Sequence, residues 1–514
     1  KELIRPDRRR DDGAEMFRFR HLLIRDAAYD SLPKAERAEL HERFADWLES
    51  SAGERLAELD EIVGYHLAQA RTYRLDLGPD DERTKALALR AGRRLLAAGK
   101  RADARDDYEP AKRLLTEAAA LLVEDVAAHF EALMATVETV SERSYAEALD
   151  LAVEAEQVGA GISEQATLRA RTWVWAGRSR IDPSFTLEGL LPQLDAAVGA
   201  FEAAGDQEGL MDALQGLVLV HLNKAHWAET AAAARRALEV ATANGFDSRA
   251  GDFRRWYTNA LVWGQLPAGD GLRIIAELMP QEARRSQRAA MLGALTVLHG
   301  LRNDRAAVMA ADAEAAAIDQ ELGDRPHRFR HSFALYALGD LEAGLAGARA
   351  EEAELARLGE TGQRSTMVSL QAWMHAVRGE NEEALRRAED GRRLGAADDA
   401  VTQLLWRTAA GLAHAQLGQL DEADRLSTEA VALALQTDSL NAADAWEARA
   451  HVLARLGRRD EMLEAAARAH ALHEAKGSVN FLKRLDRFLA DQGVDRSTLD
   501  GVSARPRAAA PGAG

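Results

Sequence analysis

The sequence predicts an all-α chain built as a solenoid of stacked helical hairpins, and three observations carry that prediction. Glycine recurs at Gly300, Gly339, Gly379, Gly418 and Gly457, at spacings of 39, 40, 39 and 39 residues, each time between two apolar helical stretches. Aromatic residues are only 5% of a chain that is 47% hydrophobic, so alanine and leucine supply most of the apolar surface. Such side chains fill thin helix-on-helix layers well and thick sheet cores poorly. Of 11 prolines, none lies between Pro326 and Pro506, so that stretch has no obligatory helix breaker.

Each repeat glycine stands where a helix would end in a left-handed cap, a conformation that glycine adopts without a Cβ penalty. Five residues later comes a small or slim side chain (Gly344, Ala384, Ala423, Met462), and seven further on another small one (Gly391, Ala430, Ala469). Seven residues is two helical turns, so these positions share one face and let the second helix approach its partner closely. Walked backwards, the register passes through Gly264, Asn223, Gly177, Arg143 and Asp106, giving about ten hairpins over residues 81–490 with an inserted loop near Ile181–Ser184. One hairpin cannot bury its apolar face alone, so neighbours stack into a superhelix with a concave groove. The pattern resembles the tetratricopeptide repeat, whose usual period is 34, and the longer unit is similar to the degenerate arrays at the C-terminal end of large bacterial regulators. The resemblance implies a right-handed superhelix whose groove takes a protein or peptide.

The N-terminal part reads differently. Phe17-Arg18-Phe19-Arg20-His21 alternates like a short strand, and Leu22–Leu32 and Ala35–Leu48 carry helical periodicity. The string FRFRHLLIRDAAYDSLPKAERAELHERFADWLE resembles the segment that joins the ATPase module to helical repeats in STAND-type signal-transduction ATPases, among them class III nucleotide cyclases and large ATP-binding transcriptional activators. The resemblance implies that residues 16–80 end a winged-helix or helical subdomain, with Phe17, Phe19, His21, Tyr29, Arg37, His41 and His66 at the interface to an upstream nucleotide module. ATP and magnesium would belong to that module. No G-x-x-x-x-G-K-[ST] loop exists in this chain, since Gly99-Lys100 is followed by Arg101 and lacks the earlier glycine. Residues 1–15 read as a linker, with Arg8–Arg10 offset by Asp11 and Asp12, and residues 491–514 as a disordered tail.

Tryptophan, tyrosine and histidine recur on the expected first helices. Trp173, Trp175, Trp256, Trp263, His299 and Tyr336 are groove candidates, as are Trp373, His375, Trp406, His414 and Trp446, because large rigid side chains dominate binding energy. The competing reading is inter-repeat packing. Trp373 and His375 are two residues apart and cannot face one neighbour, which leaves one of them for an exposed position.

Other chemistry is excluded by composition. The chain has 66 basic and 83 acidic side chains, a net −17, and the first hundred residues are balanced, so the whole excess falls after Lys100. An acidic surface repels phosphate backbones, which argues against nucleic acid as a partner. With no cysteine there is no disulfide, thiolate metal site or thiol nucleophile, and a cytoplasmic setting is expected. His21, His41 and His66 fit no metal-ligand spacing, adjacent carboxylates diverge on a helix, and no G-x-S-x-G elbow raises a serine. No cofactor, metal or catalytic residue is expected in this chain, and no run spans a membrane. The sequence therefore reads as a non-catalytic protein- or ligand-binding sensor and scaffold region of an ATP-dependent regulator. The alternatives are the C-terminal part of a nucleotide cyclase or ATPase, and a free-standing repeat adaptor.

Overall fold

A computed structural model describes residues 3–7, 16–141, 143–323 and 329–499; the Arg8–Asp12 linker and the tail from residue 500 lie outside the described residues. The chain divides into two compact units, the first of residues 1–103 and 107–139, the second of residues 104–106 and 140–514. The boundary drawn from sequence after residue 80 therefore falls inside the first unit. The reason is packing, since Leu87 and Ala91 share one core with Leu48, Val63 and Leu67.

The first unit opens with two antiparallel strands, β1 (Ile4–Asp7) and β2 (Met16–Phe19), which pair Ile4 with Phe19 and Pro6 with Phe17. β2 is the expected alternating run. β1 lies in the stretch read as linker and supplies the backbone partners that a lone strand lacks. The helices of this unit are α1 (Leu22–Asp30), α2 (Lys34–Ser51), α3 (Leu56–Leu75), α4 (Glu82–Ala104), α5 (Tyr108–Leu121) and α6 (Val126–Val140). Glycines on α3 and α4 permit close approach: a Cβ on Gly64 would stand 2.7 Å from Leu95, and one on Gly99 2.7 Å from Leu115.

The second unit is an all-α helical-repeat solenoid. Its helices are α7 (Tyr145–Ala160), α8 (Glu164–Ile181), α9 (Leu191–Ala204), α10 (Gln207–Asn223), α11 (Trp227–Ala243), α12 (Asp247–Trp263), α13 (Ala268–Leu278), α14 (Arg285–Leu301) and α15 (Arg305–Glu321). They continue as α16 (Phe329–Ala337), α17 (Leu341–Arg357), α18 (Gly362–Arg378), α19 (Asn381–Leu394), α20 (Ala400–Gln416), α21 (Leu420–Ala434), α22 (Ala442–Arg455), α23 (Arg459–Lys476) and α24 (Val479–Asp491). Even-numbered helices pack along an inner row, as α12 on α14 and α18 on α20, and odd-numbered ones flank them. The rows differ in burial: α18 and α20 each bury eleven of 17 residues, whereas α19 buries three of 14. A helix buried all round has neighbours on every side, so the inner row does not border an open groove.

Gly339, Gly379, Gly418 and Gly457 take φ of 84, 79, 78 and 72°, and Asp106 takes 64°, as the repeat requires. Upstream the register needs correction. The left-handed residues are Ala225 and Asn303, not Asn223 and Gly300; Gly177 lies within α8, and Gly264 has φ −79°. Gly300 serves another purpose, since a Cβ there would meet the Ala334 carbonyl at 2.9 Å. At the C-terminal end, Val494 and Leu499 are buried against the last hairpins, so the stretch read as tail is packed up to residue 499.

A second, longer period organises this unit. Thr361 N–H donates to the Arg180 carbonyl at 2.8 Å, Asn223 Nδ2 to the Asp398 carbonyl at 2.9 Å, Leu440 N–H to the Trp263 carbonyl at 2.7 Å, and Asn480 Nδ2 to Asn303 Oδ1 at 2.9 Å. These pairs lie 175 to 181 residues apart, about four and a half hairpins, so successive superhelical turns touch. Each upper loop also reaches the adjacent hairpin below. The Asp398 carboxylate accepts from Leu187 N–H at 2.6 Å, in the inserted loop, and that of Asp438 accepts from Trp227 N–H at 2.5 Å and Ala228 N–H at 2.8 Å. Lys476 Nζ donates to the carbonyls of Leu261, Gly264 and Leu266 at 2.7 to 3.0 Å. At Asp438 and Lys476 the signs follow from helix ends, where first-turn N–H groups attract a carboxylate and last-turn carbonyls attract an ammonium.

Asp438 caps α11 from 211 residues away, while the helix's own N-cap, His226, offers no side-chain bond. Asp438→Ala is expected to destabilise the second unit by about 1 kcal/mol and to speed amide exchange at Trp227 and Ala228. Exchange changed only next to residue 438 would contradict the cap. Because turns are cross-linked, urea unfolding of this unit is expected as one cooperative transition rather than the sequential loss of repeats typical of open arrays.

Candidate functional site

In the first unit, four of the seven residues assigned to a module interface come together. Tyr29 ends α1, His41 lies on α2, and His66 lies on α3. The Tyr29 hydroxyl is 2.7 Å from His41 Nε2, and His41 Nδ1 is 2.7 Å from His66 Nδ1. The Arg37 guanidinium stands 4.8 Å over the Tyr29 ring and donates to the carbonyls of Asp30 and Leu32 at 2.7 and 3.0 Å, fixing the turn between α1 and α2. A further member, Tyr73, bonds Tyr29 at 2.9 Å. It was not singled out in the sequence, although it lies seven residues after His66 and so on the same face of α3. Phe17, Phe19 and His21 do not join the cluster; they are exposed, and His21 caps α1 without a side-chain bond.

With 2.7 Å between them, the facing histidine nitrogens share a single proton. Burial, reinforced by the neighbouring His66, pulls His41 down to about 4, and burial lowers His66 as well. Burial, aided by the bond to Tyr73, pushes Tyr29 up to about 12. The two imidazoles and the Tyr29 hydroxyl are therefore neutral at physiological pH.

β2 and α1 carry exposed apolar side chains. α1 buries none of its nine residues, and Leu23 is 82% exposed; Phe17, Phe19 and Leu22 are exposed beside it.

In the second unit the groove expectation is corrected. Trp263, Tyr336, Trp373 and Trp406 are buried, Trp373 completely. Trp263 meets Phe333 edge-on at 4.8 Å, and Trp373 Nε1 donates to the Tyr336 hydroxyl at 2.7 Å. Trp373 and His375 are both buried, contrary to the expectation that one is exposed, because α18 has partners on all sides. Trp173, Trp175, Trp256 and Trp446 are half-buried, with arginine faces on three of them: Arg249 at 6.0 Å from Trp173, Arg255 at 5.2 Å from Trp256 and Arg468 at 4.9 Å from Trp446. The histidines clip hairpin turns. His375 Nδ1 is 2.5 Å from the Glu380 carboxylate and His414 Nδ1 bonds Gln419, while His299 faces Asp304 at 3.8 Å, five residues on in each case.

A dense ion cluster in this unit surrounds Arg484 of α24. Arg484 Nε donates to Glu447 at 2.6 Å, its Nη2 to Glu447 at 2.7 Å and to Asp444 at 3.1 Å, and its Nη1 to the Tyr336 hydroxyl at 2.6 Å. His473 lies 3.6 Å from Glu447, fully buried and with neither ring nitrogen hydrogen-bonded. Burial raises the Asp444 carboxyl; burial acts on Glu447 too, but the Arg484 charge outweighs it and holds that carboxyl below its usual range. Among the described residues, Asp444, Glu447 and His473 are also grouped closely enough for a metal ion. The guanidinium already engages both carboxylates, however, so the cluster fits an organic cation better.

Two outcomes follow. As pH falls from 6.5 towards 4, the unfolded state takes up a proton on residue 41 before the folded state does, so stability present above pH 6.5 is progressively lost. His41→Phe should flatten the fall in melting temperature over that range, and an unchanged slope would refute the role given to His41. Arg484→Ala leaves two buried carboxylates uncompensated and should cost roughly 3–5 kcal/mol in denaturant unfolding.

No protein family and no curated protein matches the chain. Among solved structures it is similar to the APC/C hetero-tetramer Cut9-Hcn1, at 14% identity and TM-score 0.49, covering 94% of this chain and 99% of that one. It is also similar to yeast Tom70, at 9% and 0.32, covering 92% and 100%, and to the P58(IPK) TPR domain, at 14% and 0.22, covering 88% and 99%. Likenesses at this level carry no argument, and the helical-repeat fold rests on the packing of the helices themselves.

Proposed function

We propose that the chain is the non-catalytic sensor and scaffold region of a multidomain, ATP-dependent signalling regulator of STAND type, acting in the cytoplasm. A nucleotide module carrying ATP and magnesium docks on the N-terminal hairpin and α1, and the partner sensed by the repeats is a protein, a peptide or a small-molecule effector. What supports this reading most directly is the apolar surface of Phe17, Phe19, Leu22 and Leu23, which lies on the segment resembling the ATPase-to-repeat junction. Exposed apolar side chains gathered on one short segment mark interaction sites, and the Tyr29–His41–His66 cluster anchors the C-terminal end of α1, the helix that carries Leu22 and Leu23. A free-standing adaptor has no use for such a surface. No described helix is long and apolar enough to cross a membrane, which agrees with this setting.

In a polypeptide that joins the nucleotide module to this chain, Phe17→Asp and Leu23→Asp are expected to change ATP turnover by about fivefold or more without altering helix content. Unchanged turnover would overturn the docking role. The chain alone is expected not to hydrolyse ATP, which a phosphate-release assay checks.

A further inference from the structure

The first unit carries a second exposed apolar face, away from β2 and α1. On α2, Leu40, Phe44 and Trp47 follow at intervals of four and three residues and form one stripe; on α3, Ile62 and Tyr65 are three residues apart. The two stripes meet through their rings. Phe44 stacks on Trp47 with centroids 5.7 Å apart and meets His66 edge-on at 4.7 Å, and Tyr65 meets the same imidazole at 5.2 Å. Yet Leu40, Phe44, Ile62 and Tyr65 keep 48, 41, 46 and 51% of their surface exposed. The other side of the hairpin is closed, because Val63 and Leu67 pack there with Leu87 and Ala91 of α4.

The charges beside this face are self-complementary. Most charged residues of α2 have partners within the chain: Lys34 with Asp76, Arg37 with Asp30, Glu42 with Arg74 and Arg83, Asp46 with Arg90, and Glu49 with Arg90 and Arg94. Among the described residues, those of α2 left without an ion-pair partner are Glu36, Glu39 and Arg43, all exposed and all next to Leu40 or Phe44 along the helix. A face for a uniformly charged partner would offer free charges of one sign, whereas this one offers both. Glu39 and Arg43 stand on either side of residue 41. A twofold axis at that level sets a second α2 antiparallel to the first and brings Glu39 of each copy opposite Arg43 of the other, with Leu40 and Phe44 of both alongside. Net charge favours the same place. The chain carries −17, but its first hundred residues are balanced, so two copies approach here without the repulsion that the region after Lys100 imposes.

We propose that two copies of this chain associate as a twofold dimer through α2 and α3, with Leu40, Phe44, Ile62 and Tyr65 at its centre and reciprocal Glu39–Arg43 pairs at its rim. The face is separate from the surface on β2 and α1 given to the nucleotide module. ATP turnover reports on that docking and association state on this contact, so either can fail without the other.

Sedimentation equilibrium of the full chain tests the dimer. The wild-type chain should associate with a dissociation constant below about 100 μM. Glu39→Arg and Arg43→Glu should each weaken association about tenfold or more, because each turns both cross-pairs into like-charge contacts. An equimolar mixture of the two variants should recover the wild-type constant to within about threefold, since a heterodimer of one with the other restores both pairs. Both side chains are exposed, so each variant should keep the helix content of the wild type by circular dichroism. A wild-type chain still monomeric at about 100 μM, whether the face is bare or covered by another part of the same polypeptide, overturns the proposal. So does association that either reversal leaves intact, or that mixing fails to restore.

Discussion

Helix ends leave backbone N–H and carbonyl groups unpaired, and where water is excluded those groups need partners from elsewhere in the chain. At α8, α11 and α12 of the second unit they come from one superhelical turn away. Asp438 covers the start of α11, Lys476 covers the carbonyls that end α12, and Thr361 and Leu440 donate to the ends of α8 and α12. This requirement fixes how far the solenoid rises per turn, and that rise decides the rest. A coil wound tightly enough to make these bonds brings its inner helices against the turn above, so Trp373 and Tyr336 become core rather than groove lining.

Sealing the interior also explains its electrostatics. Lys476, buried and held by three carbonyls, is pulled down by burial to about 7, and the buried Asp399 carboxyl at the start of α20 is pushed up to about 6. Both values reflect loss of solvent where turns or hairpins meet. Arg484 is different in kind, because two carboxylates and a hydroxyl surround it and its charge is fully used. Ionisable groups thus mark the places where the spiral is held shut, and the first unit's histidine pair, neutral and half-buried, marks where its first three helices meet.

Much of this was legible in the sequence, but unevenly. The repeat was plain where glycine carries the left-handed turn, at Gly339, Gly379, Gly418 and Gly457, and the small residues beyond them, such as Ala423 and Ala430, are buried at helix contacts as their spacing implied. Where Asn303 and Ala225 take that conformation the signal vanished, since a search for glycine sees only the residue that adopts it most cheaply. Tyr29, Arg37, His41 and His66 were marked together through resemblance, and they do converge. The aromatics of the inner row were marked for the wrong reason. Their period shows that they face inward, but what lies inward depends on contacts between residues about 180 positions apart, which no local pattern encodes.

The long-range caps bear on how such a chain can change in length. In an open array, duplicating or deleting one hairpin shifts everything downstream without penalty, so related chains drift in repeat number. Here a turn holds a fractional number of hairpins, and gaining one between Leu266 and Thr361 would carry Thr361, Asp398, Asp438 and Lys476 past their receptors together. Lineages of this architecture should therefore diverge by substitution and by loop growth, while the count of helices between paired seams stays constant.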